Sequence, residues 1–112
     1  MTSDYLETKW KQSGVTVAGG NQLNQLEGPH GIFMDDDQSI YIADFENSRI
    51  IVWKLNATSG QIIVGENGQG TQLDQLDRPT DVIIDRQTDS LIIADWGNRR
   101  VVRYGLVEIK QM

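Results

Sequence analysis

The sequence contains no cysteine. That excludes a disulfide framework, a thiolate zinc site and a cysteine nucleophile. It has no long hydrophobic run either. The longest, Ile50-Ile51-Val52-Trp53, is far short of the roughly 20 residues a membrane helix needs. The start, Met-Thr-Ser-Asp-Tyr-Leu-Glu, lacks the basic and apolar regions of a secretory leader. Together these absences give the expectation of a cytoplasmic chain that does not enter membranes. Basic excess is also missing: the formal net charge is −6, whereas nucleic-acid binders present a net basic face to phosphates. The one arginine-rich stretch, Arg99-Arg100-Val101-Val102-Arg103, reads as alternating strand positions with arginines paired to nearby carboxylates. Nucleic acid is therefore not an expected partner. The i, i+3, i+4 apolar period of an amphipathic helix is absent throughout.

What is present is a repeat. Ile42-Ala43-Asp44-Phe45-Glu46-Asn47-Ser48-Arg49-Ile50 recurs as Ile93-Ala94-Asp95-Trp96-Gly97-Asn98-Arg99-Arg100-Val101, at a shift of 51 (95 minus 44). Leu23-Asn24-Gln25-Leu26 recurs as Leu73-Asp74-Gln75-Leu76 and Pro29 as Pro79, both at 50; Gly14 recurs as Gly60 at 46. The length differences fall in turns, as surface loops on a fixed scaffold allow. Self-similarity at this period signals a solenoid, propeller or array. Within each copy, short β-branched runs are bounded by turn residues. The spacing predicts inner strands at about 31–35 and 81–85, second strands at 39–43 and 90–94, and third strands at 49–55 and 100–104. Outer strands are expected at 61–65 and at 14–19, the latter preceding its first inner strand. Four short strands per roughly 50 residues make a β-propeller blade. The chain thus reads as one all-β domain: a lead-in and outer strand at 1–20, a first repeat at 21–65, a second at 66–104, and a tail at 105–112. Tyr5, Leu6 and Trp10 anchor the lead-in.

The copies resemble NHL repeats. The resemblance rests on Pro29-His30-Gly31-Ile32, Ile40-Tyr41-Ile42-Ala43-Asp44 and Asn47-Ser48-Arg49-Ile50-Ile51-Val52-Trp53, and on their counterparts Pro79-Thr80-Asp81-Val82, Leu91-Ile92-Ile93-Ala94-Asp95 and Asn98-Arg99-Arg100-Val101-Val102. It covers about residues 13–104. It implies a propeller, commonly of six blades, used most often as a binding scaffold. Asp81 stands where the family usually has Gly.

Two four-stranded blades cannot close a ring, since propellers need about four to eight, and fewer than three repeats are not expected to be stable alone. The second repeat has no outer strand after it, unless Leu106 to Lys110 serves. Strand 14–19 has no inner strands before it. Such a strand is a velcro element, which in a closed propeller completes the last blade. The expectation is a head-to-tail homo-oligomer, because a heterologous contact whose rotation closes makes a ring. A homotrimer gives six blades, and two or four copies give four or eight. The other reading, a fragment of a longer propeller, is disfavoured by Met1 and the start just before the velcro strand.

Strand alternation puts the loops before the inner strands and the turns at 45–47 and 96–98 on one face. His30, Phe45, Glu46, Thr80, Asp81 and Trp96 are the candidate binding residues there, for a protein or small-molecule ligand. Asp44 and Asp95 open turns, where Asp bonds its own backbone two residues on. With Asn47, Arg49, Asn98 and Arg100 they are expected to brace the hairpins, a structural role that suits their occurrence in both copies. Asp35-Asp36-Asp37 could suit calcium, but Asp85-Arg86-Gln87-Thr88-Asp89 lacks the cluster, so a solvated turn is expected. Asn56-Ala57-Thr58 is a formal glycosylation site, and Asn67-Gly68-Gln69-Gly70 has no helix after it to cradle phosphate. No Ser/His/Asp set can be placed. The reading is a non-enzymatic scaffold with no cofactor and no metal. The alternative is a metal-dependent lyase or hydrolase in which His30, the only histidine, is contributed by each subunit to a channel site.

Overall fold

The computed structural model describes residues 8–20 and 25–106. Among them the regular elements are seven strands and two single 3-10 turns, and no helix is long and apolar enough to cross a membrane. Strands β1 (Pro29–Met34), β2 (Ile40–Asp44), β3 (Arg49–Trp53) and β4 (Gln61–Val64) form an antiparallel sheet in that order. Strands β5 (Pro79–Asp85), β6 (Ser90–Asp95) and β7 (Arg100–Gly105) form a second sheet with the same order as β1–β3.

The connections explain the register. In the β1–β2 turn, Asp37 Oδ1 accepts from the Ser39 amide at 2.9 Å, and Gln38 takes the left-handed conformation. Residues Phe45–Asn47 and Trp96–Asn98 each make one 3-10 turn, ended by Ser48 (φ 50°) and Arg99 (φ 53°). Each such turn leaves its flanking strands in unbroken register, Asp44 opposite Arg49 and Asp95 opposite Arg100. The inner strands start earlier than the pattern suggests, at Pro29 and Pro79, and each is bulged directly after. Proline fits the first residue of an edge strand because it has no amide hydrogen to leave unpaired. Strand β3 stops at Trp53, short of residue 55, where Trp53 Nε1 donates to the Ala57 carbonyl at 2.9 Å.

The run at 14–19 is not a strand within the single chain, in contrast to the expectation. A strand needs an edge within reach. The outer edge of β3 is taken by β4, the open edge of β7 belongs to the second sheet, and residues 15–17 lie beside the first, where Val15 and Val17 remain exposed. Trp10 is likewise exposed and anchors nothing among the described residues. Tyr5, Leu6, Leu23 and residues 107–110, which carried other parts of that expectation, lie outside the described residues.

The core is divided by the first sheet. On the side facing the second sheet, Ala43, Ile50 and Val64 pack with Leu76, Val82 and Ile93. Each large apolar side chain buried there contributes about 1.5–3 kcal/mol. The inner strands approach closely: a Cβ added at Gly31 would lie 2.8 Å from Asp81 Cα. On the opposite side, Ile42, Ile51 and Trp53 are covered by Ala18, Leu26, Ile40 and Ala57.

Candidate binding face

The face is built around two buried aspartates. Asp44 and Asp95 are fully buried, which for a charge demands partners. Asp44 Oδ1 accepts from the Glu27 amide at 2.7 Å, and its Oδ2 accepts from Asn47 Nδ2 at 2.9 Å and Arg49 Nε at 2.8 Å. Asp95 repeats this with the Asp77 amide at 2.7 Å, Asn98 Nδ2 at 2.8 Å and Arg100 Nε at 2.8 Å. Neither carboxylate caps its own turn's backbone. Each reaches instead to the loop ahead of the first strand of its own sheet, a long-range contact that turn chemistry alone does not suggest. The backbone adds a second tie: the Glu46 amide donates to the Glu27 carbonyl at 3.0 Å and the Gly97 amide to the Asp77 carbonyl at 2.7 Å.

Pre-strand loop and turn are thereby fixed side by side, and aromatic side chains line up across them. The His30 ring stacks on Phe45 at 4.1 Å and 9°. Phe45 meets Trp96 of the other sheet at 5.9 Å and 38°. The Arg78 guanidinium lies 4.9 Å from the Trp96 ring centroid, within cation–π range. Trp96 remains 56% exposed. The row thus joins both sheets and keeps an open aromatic end.

Residues 26–53, which contain β1 to β3 and the first aspartate hub, match the family model described as NHL repeat. The chain carries an NHL repeat. The second hub, Asp95 with Asn98 and Arg100, lies outside the matched span and has the same geometry as the hub within the NHL repeat. No curated protein matches the chain.

Of the other candidate residues, Glu46 is exposed and its Cγ would touch a Cβ added at Gly28, whose φ is 60°. Thr80 is half-buried in β5. Asp81 is exposed and accepts from the Val82 amide at 2.9 Å, and its carboxylate fills the space left by Gly31. Among the described residues no three His, Cys, Asp or Glu side chains converge in a metal-binding arrangement. In the Asp35-Asp36-Asp37 turn, Asp35 pairs with Arg86 across the sheets.

Arg78 lies in the loop before the second sheet's first strand, on this same face, but is not among the binding residues the sequence suggests. It occupies the position of Gly28 (78 minus 50), and its φ of 53° matches the 60° of that glycine. Its amide donates to Ser48 Oγ at 3.0 Å. Its Nε donates to Asp77 Oδ1 at 2.9 Å, and this bond, with a second from Gln69, holds the Asp77 carboxyl below its ordinary range. A charged residue in place of a turn glycine is the signal that could have singled it out.

Away from this face the sheets diverge. A cleft of about 470 Å³ opens with Ile63 and Val64 on one wall and Ile84, Leu91 and Tyr104 on the other. A second cleft, about 330 Å³, lies on the far side of the first sheet, between Val15–Val17 and Met34, Ile40 and Trp53. The two are equivalent under the repeat: Val17 corresponds to Ile63 (shift 46), Met34 to Ile84 (50), Ile40 to Leu91 and Trp53 to Tyr104 (51). Residues 15–17 therefore lie against the first sheet where β4 lies against the second.

Proposed function

We propose that the chain is a non-enzymatic binding scaffold of the propeller type, which assembles head to tail into a closed ring and uses the face carrying His30, Phe45, Glu46, Thr80, Asp81 and Trp96. The NHL repeat suggests the propeller-type binding module. The observation that carries the assembly is the equivalence of the two clefts. Residues 15–17 occupy the place of an outer strand belonging to a preceding blade, and among the described residues none forms that blade's other three strands. The second sheet has those three strands and, among the described residues, no fourth. One copy's β5–β7 and the next copy's 14–19 make a complete blade.

Exposure supports the same arrangement. Val101 is 70% exposed while its counterpart Ile50 is 0% exposed, and Ile32 is 63% exposed while its counterpart Val82 is 0% exposed. Val101 lies on the free side of the second sheet and Ile32 on that of the first, so joining copies buries both as the internal junction buries Ile50 and Val82. Three copies make six blades. The test is the native mass by light scattering on a sizing column, expected at three times the 12.6 kDa chain mass. Val101→Asp is expected to lower that mass. A folded monomer at all concentrations would contradict the assembly.

A further inference from the structure

The two kinds of junction in such a ring do not carry the same residues, and the differences compensate. At the junction within the chain, the first sheet offers Glu46 and Ser48, and the second offers Asp77 and Arg78. The Ser48 hydroxyl is small and accepts from the Arg78 amide at 3.0 Å, leaving room for the arginine side chain to lie on Trp96. Between copies the equivalent positions are Gly97 and Arg99 on one side (shift 51) and Glu27 and Gly28 on the other (shift 50). The large and small partners are exchanged: arginine now stands at the serine position and glycine at the arginine position. Arg99 and Ser48 share the left-handed conformation, φ 53° and 50°, and Arg78 and Gly28 do too, φ 53° and 60°. The backbone frames therefore match while the charge has crossed the junction.

Arg99 is exposed and, among the described residues, its side chain has no hydrogen-bond or ion-pair partner. Glu27 is exposed, and its carboxylate has no such partner either, although its backbone is held by Asp44 and Glu46. We propose that, in the ring, Arg99 of one copy crosses the junction over Gly28 of the next and pairs with its Glu27. This rests on the ring assembly proposed above and adds the contact that fixes its orientation. The opposite end of the junction adds no bridge: the Asp35–Arg86 pair within the chain becomes Asp85 facing Asp36, and Asp85 is already neutralised by Arg103 at 3.2 Å. The Arg99–Glu27 pairing also distinguishes the sides, because an inverted contact brings arginine to arginine.

The experiment is oligomer dissociation on dilution, followed by sedimentation equilibrium, for the wild type, Arg99→Glu, Glu27→Arg and the double variant. Like charges at a close junction are strongly disfavoured, so each single reversal is expected to weaken assembly about tenfold or more, and the double reversal to recover most of the loss. A wild-type ring indifferent to both single reversals would overturn the bridge and leave the ring standing. A double variant no better than the singles would also overturn it. A wild type that is monomeric throughout would remove the ring and the bridge with it.

Discussion

Arg49 and Asp44 are joined Nε to Oδ2 at 2.8 Å, and Arg100 and Asp95 repeat the pair with the same atoms at the same distance. Both aspartates are fully buried, so the pairs act inside the protein, where removing one member strands the other. Asp95→Ala is expected to destabilise the chain by about 3–5 kcal/mol, the usual cost of breaking a buried pair. Denaturant unfolding measures it. Arg100 also donates to the carbonyls of Thr71, Gln72 and Gln75. Arg100→Lys, which cannot keep all of these bonds, is therefore expected to cost about 1 kcal/mol or more, at roughly 0.5–1.5 kcal/mol per lost bond.

Acid stability should depend on Asp85. Its carboxyl is held below the ordinary value of 3.8, first by the Thr88 hydroxyl donating to Oδ2 and then by Arg103. A carboxyl depressed on folding adds stability that is complete above its unfolded pKa and is lost as pH falls through the lower folded value. Thr88→Val removes the largest cause, so the Asp85 pKa should rise toward 3.8. An NMR titration of the side-chain carboxyl reads this directly, and the pH dependence of stability below about 4 should become shallower. An unchanged titration would contradict the assignment.

The Phe45–Trp96 contact spans the two sheets at 5.9 Å. A double-mutant cycle with Phe45→Ala and Trp96→Ala should return a coupling of about 0.5–1.5 kcal/mol, as for other aromatic pairs. A coupling near zero would mean that the row is a surface coincidence and does not contribute to joining the sheets.

The repeat frame made most of the fold legible. Ile-Ala-Asp followed by Asn and Arg marks a strand, a tight turn and a second strand in each copy, and in that order one buried carboxylate collects an amide, an asparagine and an arginine. Phe45 and Trp96 could be placed on one face from strand alternation alone. The partner of Asp44 could not. Its Oδ1 binds the Glu27 amide, 17 residues earlier, and nothing local in the sequence reports that approach. Residues 14–19 have strand composition but no strand, because composition states a preference and a ladder needs an edge. Arg99 reads in the sequence as a strand arginine paired to a carboxylate, but it ends the 3-10 turn ahead of β7 at φ 53°, in the frame of Ser48, and has no ion-pair partner among the described residues; Arg78 likewise takes the frame of Gly28.

The most direct test of the assembly uses the absence of cysteine. Val52 and Gln61 face each other across β3 and β4, and their counterparts are Arg103 (shift 51) and Val15 (shift 46). Directly opposed antiparallel residues have Cα atoms about 4.5–5.5 Å apart, within disulfide reach. A chain carrying both Val15→Cys and Arg103→Cys should, on mild oxidation, give covalent dimer and trimer on a denaturing gel without reductant, ending at trimer. Each single-cysteine variant should run as monomer under the same conditions. Exchange of residues 14–19 between copies predicts that ladder, and a double-cysteine chain that stays monomeric would contradict it.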